Sequence, residues 1–277
     1  MSPKKQKGDL RILFWNIKDW FLRDGESKAA ARLDRVLSVL RREKPDIALF
    51  AEVNDPAIKT ALLTNLKSGH VAFETNDKNP PHLVAVFRAA AGRSVSVEQR
   101  NEILDGNPTG RSLPMLNIID ENGPLAILAA HTKSGIAPEN LTKRQKQFQQ
   151  IAKIATEFGA ERIPLLVVGD MNTMGDGEKT SGAREIEIAS EIMGQGGLIR
   201  LPKDRKATWH GVDADARFTD ADLDHAFISR SAAFRAATVR VGGWPELPTT
   251  KRQDNWVRTH SDHAYIVVDI KPVPRAF

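Results

Sequence analysis

The sequence predicts an α/β protein, with many strands joined in places by helices and in places by hairpins, as in a mixed sheet or a two-sheet sandwich with helices outside. Three observations predict it. Short apolar runs of strand length recur from "LRILFWN" (Leu10–Asn16) to "AYIVVDI" (Ala264–Ile270). Stretches with helical spacing of apolar residues separate some of these runs. No internal repeat and no Pro/Gly/Ser-rich break divides the chain, so residues 10–277 read as one domain behind a flexible basic tail over residues 1–9.

The elements follow in order. "LRILFWN" is a buried strand that ends in a polar residue. From Ser27 to Glu43, Leu33, Val36, Leu37 and Leu40 recur among Arg and Lys, an amphipathic helix that Pro45 helps to end. "DIALFAEV" (Asp46–Val53) is the second strand, which gives a strand–helix–strand opening. "LVAVFR" (Leu83–Arg88), "PMLNII" (Pro114–Ile119) and "LAILAAH" (Leu125–His131) are further strands, the last two joined by the turn signal "DENG". A helix is expected from about Pro138 to Phe158, with Phe148, Ile151 and Ala155 on one face. "PLLVVGD" (Pro164–Asp170), "DLDHAFIS" (Asp222–Ser229), "ATVRV" (Ala237–Val241) and "AYIVVDI" complete the strands.

Composition narrows the chemistry. The chain has no cysteine, which removes disulfide frameworks, thiolate metal sites and cysteine nucleophiles, and leaves Asp, Glu, Asn or His to hold any metal. A net charge of +5 and a pI near 9.4 favour polyanionic partners without requiring them. The start "MSPKKQKGDL" lacks the apolar stretch of a secretory signal, and no run approaches the ~20 apolar residues of a membrane span. A cytoplasmic monomer is the expectation.

Polar residues cluster at the ends of the apolar strands. Asn16 closes the first and Glu52 lies at the end of the second. His131 closes "LAILAAH", Asp170 and Asn172 follow "LLVVG", Asp224 lies in "DLDHAFIS", and Asp262 and His263 precede the last strand. Each has a plain reading of its own: a turn residue, an Asx turn, a solvated loop, a satisfied histidine. Their repetition at strand ends is what points to a site.

The ordered set "FWNIKDW", "PDIALFAEVND", "AAHTKSG", "LLVVGDMNT", "DLDHAFIS" and "THSDHAYIV" resembles the endonuclease/exonuclease/phosphatase superfamily of DNase I-like proteins. "GDMN" and "SDH" are weak alone; the six segments in order span almost the whole chain. The resemblance implies a four-layer α/β sandwich, two facing mixed sheets with helices outside, and an active site at one edge. It implies metal-assisted hydrolysis of a phosphate ester, with Mg²⁺ (or Mn²⁺) held by Glu52 and Asn16 and with Asp262 supporting the metal side or His263 itself, since Mg²⁺ takes few protein carboxylates and keeps several waters. By the same pattern His263 takes a proton from the attacking water, Asp224 orients it, Asp170 and Asn172 position water and phosphate, and His131 donates to the phosphate or leaving group. The base is His263 first and Asp170 second. Arg111 falls where family nucleases carry a phosphate-contacting arginine and reads equally as a solvated basic residue, while Lys133 lies in "HTKS", which resembles the "HLKS" of bacterial nuclease members and implies a phosphate contact.

The departures narrow the substrate. Tyr265, the one tyrosine, lies inside the final strand, whereas abasic-site endonucleases of the family use a mid-chain tyrosine; His70 or His82 offers no convincing substitute. His225 stands where the family has an aromatic, and "DADLDHAFIS" does not reproduce the inositol-phosphatase signature. A nuclease is the first expectation, supported by net charge, "KRQDNWVRTH" (Lys251–His260), and Trp209 and Trp256 near the site loops, though each tryptophan reads more simply as packing. A phosphatase or phosphodiesterase acting on a lipid headgroup or small metabolite is the alternative, because the same residues serve both. A non-catalytic nucleic-acid-binding relative is a third reading, which leaves Asp224 and His263 without a purpose.

Overall fold

Among the described residues, each parallel pair of strands has a long helix between its two members in sequence. Strand β1 (Leu10–Trp20) leads through α1 (Glu26–Glu43) to β2 (Ile47–Val53), and β7 (Gly123–His131) leads through α3 (Pro138–Ala160) to β8 (Leu165–Asp170). The structure is a computed structural model that describes residues 5–20, 26–55, 57–66, 69–75, 82–90, 92–101, 113–236 and 238–273. Arg111 lies outside the described residues, as do residues 1–4 of the expected tail. Lys5 pairs with Asp46, Asp9 is buried, and the Asp9 amide donates to the Gln6 carbonyl, while residues 6–8 between them are exposed.

The remaining elements are α2 (Ala57–Asn65), β3 (His70–Glu74), β4 (His82–Arg88), β5 (Ser94–Arg100), β6 (Leu113–Asp120), α4 (Gly182–Gln195), β9 (Leu198–Arg200), β10 (Asp224–Ser229), β11 (Arg240–Gly242), α5 (Thr250–Thr259) and β12 (Tyr265–Ile270). They build two mixed six-stranded sheets, ordered β11-β12-β1-β2-β4-β3 and β5-β6-β7-β8-β10-β9. This is the expected α/β sandwich of two facing sheets with helices outside.

Strand alternation sorts the core. On β1, Leu10, Ile12 and Phe14 join the core between the sheets, while Leu13, Trp15 and Ile17 join the cluster beneath α1 and α2. On β12, Ile266 and Val268 face inward and Tyr265 and Val267 outward. Strands buried on both faces read as the continuous apolar runs found in the sequence. Tyr265 is a packing residue whose hydroxyl donates to the buried Glu43 Oε1 at 2.8 Å. The segment Lys251–His260 is largely helix α5, with Trp256 stacked on both His260 and Trp15. No helix among the described residues is long and apolar enough to cross a membrane.

Candidate active site

The register of the second sheet sets three of the expected residues in one row. His131 of β7 pairs with Asp170 of β8, and Asp170 pairs with Asp224 of β10. Gly169 lets β8 close on β7, since a Cβ there would meet the Ala130 carbonyl at 1.9 Å. All three row residues are buried.

The first sheet supplies the opposing side. Asn16 continues the inward set of β1 and donates from Nδ2 to Glu52 Oε1 and to Asp170 Oδ2, each at 2.9 Å. Glu52 reaches this point through a break in alternation. Ala48 and Phe50 face outward on β2, so regular pleating would send residue 52 outward as well. Instead the register shifts between Phe50 and Val53, Glu52 takes φ +60°, and its carboxylate turns to the site while Val53 faces out. A left-handed glutamate is held only where its surroundings require it. Glu52 Oε2 also accepts from the Asp19 amide at 3.3 Å.

The imidazoles complete the group. His131 Nε2 lies 3.5 Å from Glu52 Oε1 and 3.9 Å from Asp170 Oδ2. His263 places Nδ1 2.9 Å from Asp224 Oδ2 and Nε2 3.8 Å from Asp170 Oδ2. Asp224 Oδ1 is buried with no hydrogen-bond partner, which leaves the imidazole as the group that carboxylate serves. The His263 backbone is fixed twice: its amide donates to Ser261 Oγ, and its carbonyl accepts from the Trp15 indole at 2.9 Å. Ser261 Oγ donates in turn to the Asn16 carbonyl at 2.7 Å, tying the two strand ends together.

Other expected residues stand beside this group. The Asn172 amide donates to Asp170 Oδ1 at 2.9 Å, and its side-chain nitrogen donates to the Thr132 carbonyl at 3.1 Å, so Asn172 holds two site loops. Asp262 Oδ2 is engaged by Lys18 Nζ at 2.8 Å and by Trp209 Nε1 at 3.1 Å. Lys133 is exposed at the rim after His131, its carbonyl held by Arg144. His225 points to the other face of β10, where it contacts Thr173 Oγ1 at 2.9 Å; burial and the charges of Lys203 and Arg200 keep it neutral. Two contributors escape sequence reading. Lys18 is a lone lysine after a strand. Arg144 and Glu185, both fully buried, pair across 41 residues, and Arg144 also donates to the carbonyls of Lys133, Gly135 and Gly175.

The electrostatics separate the carboxylates. Burial works to raise Glu52, yet hydrogen bonds from His131 and Asn16 and the charges of His131 and His263 outweigh it and hold the carboxyl well below its usual range. Burial raises Asp170, helped by the charge of Asp224 and opposed by His263 and His131. Burial works to lower His263, but Asp224 and Asp170 push it up to about 10. The surrounding charges thus favour the ionised form of Glu52 and the charged form of His263. Glu52, His131 and Asp170 bring ligand atoms within 4.8 Å of one another. A hard, ionised, partly exposed carboxylate suits a divalent cation that keeps part of its water shell.

Two facing mixed sheets, with a row of carboxylates and imidazoles at one edge, define an α/β sandwich of the DNase I-like class. Residues 20–265 match the Endonuclease/Exonuclease/phosphatase family, and the chain belongs to that family. No curated protein matches the chain. Among solved structures, it is similar to Caenorhabditis elegans TDP2 in truncated form (15% identity, 97% of this chain and 100% of that one, TM-score 0.69). It is also similar to D. rerio TDP2 complexed with single strand DNA product (15%, 95% and 99%, TM-score 0.67). A third is NExo, a 3′-5′ exonuclease from Neisseria meningitidis (18%, 95% and 100%, TM-score 0.65). At these identities the likeness is one of fold.

Proposed function

We propose that the protein is a divalent-metal-dependent phosphodiesterase that hydrolyses nucleic-acid phosphodiester bonds by attack of water. One observation carries the reading: the Asp224–His263 pair and Asp170 meet an ionised Glu52 through the single bridging amide of Asn16. A buried imidazole held by one carboxylate and facing a second is an acid–base arrangement that hydrolysis can use.

Glu52 would hold the cation, with Asn16 orienting its carboxylate. The bound cation supplies charge neutralisation and an acidic water. Asp224 and Asp170 favour the charged imidazole, so His263 would present an imidazolium to the phosphate. Asp170, 3.8 Å from that imidazole, is then the acceptor for the water proton, and Asp224 keeps the imidazole oriented. Net attack would form a P–O bond to the water oxygen and break the bond to the leaving oxygen, with the water proton passing to Asp170 and the leaving oxygen departing as an alkoxide that takes its proton from solvent. His131 stands beside Glu52 to donate to a phosphate oxygen. The basic net charge supports a polyanionic substrate, as do solved neighbours that hold DNA products.

The test pairs supercoiled plasmid with 3′-labelled oligonucleotides, in Mg²⁺ or Mn²⁺ and in chelator, for the wild type and His263→Ala. Nicking of the plasmid supports an endonuclease; shortening from the 3′ end alone supports an exonuclease. Absence of both, with phosphate released from small esters, overturns the nucleic-acid reading. Unaltered cleavage by the variant overturns the site.

A further inference from the structure

Charge counting at the site leaves a gap that Lys18 fills. Glu52, Asp170, Asp224 and Asp262 bring four carboxylates to the strand ends, and an anionic phosphodiester must enter among them. Lys18 follows Asn16 by two residues, in a stretch where Lys18 and Asp19 take φ +38° and +44°. That stretch is pinned in place. The Lys18 amide donates to Asn16 Oδ1 at 3.0 Å, the Asp19 amide reaches Glu52, and Arg32 of α1 donates to the carbonyls of Ile17 and Lys18. The backbone that wraps Glu52 therefore also aims Lys18.

Its ammonium sits 2.8 Å from Asp262 Oδ2 and 3.7 Å from Asp215 Oδ2, with the side chain 45% exposed. Asp262 is engaged mainly through one oxygen. Oδ2 takes Lys18 and the Trp209 indole, and Oδ1 lies 3.4 Å from Ser261 Oγ. Among the described residues, neither group of closely spaced ligand atoms includes Asp262.

We propose that Lys18 is a phosphate-binding residue, a built-in cation that is latched on Asp262 in the free protein and contacts the substrate phosphate, so that Asp262 serves Lys18 and not the metal. Lysine suits this role, because it is a compact charge on a flexible stem. Asp215 and Asp262 form the resting latch, and an arriving phosphate competes with them for the ammonium. The inference rests on the metal-assisted phosphoester reading of the site.

Three measurements without turnover test it on the full chain. Mn²⁺ binding by electron paramagnetic resonance should change less than about threefold in Asp262→Asn, whereas loss of a true ligand weakens it by ~10-fold or more. Inorganic phosphate, followed by ³¹P line broadening from bound Mn²⁺, should bind ~10-fold more weakly in Lys18→Met and within a few-fold of wild type in Lys18→Arg. A single-stranded oligonucleotide, followed by anisotropy in Ca²⁺, should lose ~10-fold in affinity in Lys18→Met, with a salt slope smaller by about 0.7. Unchanged phosphate binding in Lys18→Met overturns the proposal, as does a tenfold loss of Mn²⁺ in Asp262→Asn. If wild type binds Mn²⁺ and phosphate but no oligonucleotide, the nucleic-acid reading fails, and the phosphate arm still decides Lys18.

Discussion

Glu52 and Asp170 are bridged by the same asparagine nitrogen, yet the fold treats them in opposite ways. Glu52 comes from a distorted strand end, stays 23% exposed at its side chain and is held ionised by donors on several sides. Asp170 ends a regular strand, is fully buried and is raised by burial and by Asp224. Pairs of carboxylates whose surroundings push them apart commonly divide the labour of a site. The difference supports the proposed division, with Glu52 as fixed negative charge and Asp170 in proton traffic.

The largest effect should come from neutralising each in turn. Glu52→Gln and Asp170→Asn should each cost ~10³-fold or more in kcat. Metal affinity separates them: Mn²⁺ binding by calorimetry should weaken by ~100-fold in Glu52→Gln and by only a few-fold in Asp170→Asn. Equal loss of metal in both variants would merge the two roles and end the comparison.

Asp224→Asn should follow, at ~10²-fold in kcat, because the imidazole loses the group that orients and charges it. The pH profile carries the sharper information. If His263 must be protonated, kcat falls as pH rises toward about 10, and the alkaline limb moves to lower pH in Asp224→Asn. A rate that instead climbs through that range would return the base to His263 and leave Asp170 a spectator.

Asn16→Ala removes the bridge itself. Mn²⁺ affinity should fall by ~10-fold, a typical cost for a partner that orients a ligand. Asn16→Asp should weaken turnover further, because it places a third carboxylate between two others.

The two carboxylates also differ in how visible they were in the sequence. Asp170 follows an uninterrupted apolar run, and the row His131–Asp170–Asp224 is set by regular pairing, so strand patterns located it well. Glu52 was marked by its place at a strand end, but its direction was not legible, because pleating alone sends it to the wrong face. Lys18 and the Arg144–Glu185 pair gave no local signal, since their meaning lies in partners distant in sequence. Elements were lost for similar reasons. α5 is polar, with Val257 its buried residue, and β5 shows only Val95 and Val97 among polar neighbours on a half-exposed edge. The strand expected over Ala237–Val241 is observed at Arg240–Gly242, and β10 begins at Asp224, two residues later than expected.

The smallest effect is on stability, and there the two poles should part at opposite ends of the pH scale. Glu52 has its carboxyl depressed below 4.5 in the folded protein, so its contribution is fully present above that value and is lost as pH falls. His263 is raised from 6.5 to about 10, so its contribution is fully present below 6.5 and is lost as pH rises through 10. Asp170 is raised as well and prefers its proton when folded, so its contribution declines as pH rises above 3.8, in the same direction as that of His263. Variants are therefore needed alongside the wild-type curve. In EDTA, thermal unfolding of wild type minus Glu52→Gln should lose ~2–6 °C on the acid side, and wild type minus His263→Gln should lose a similar amount on the alkaline side. Losses at the same end of the scale would mean that Glu52 and the Asp170–His263 pair titrate as one cluster, and the division of labour drawn from their geometry would not hold.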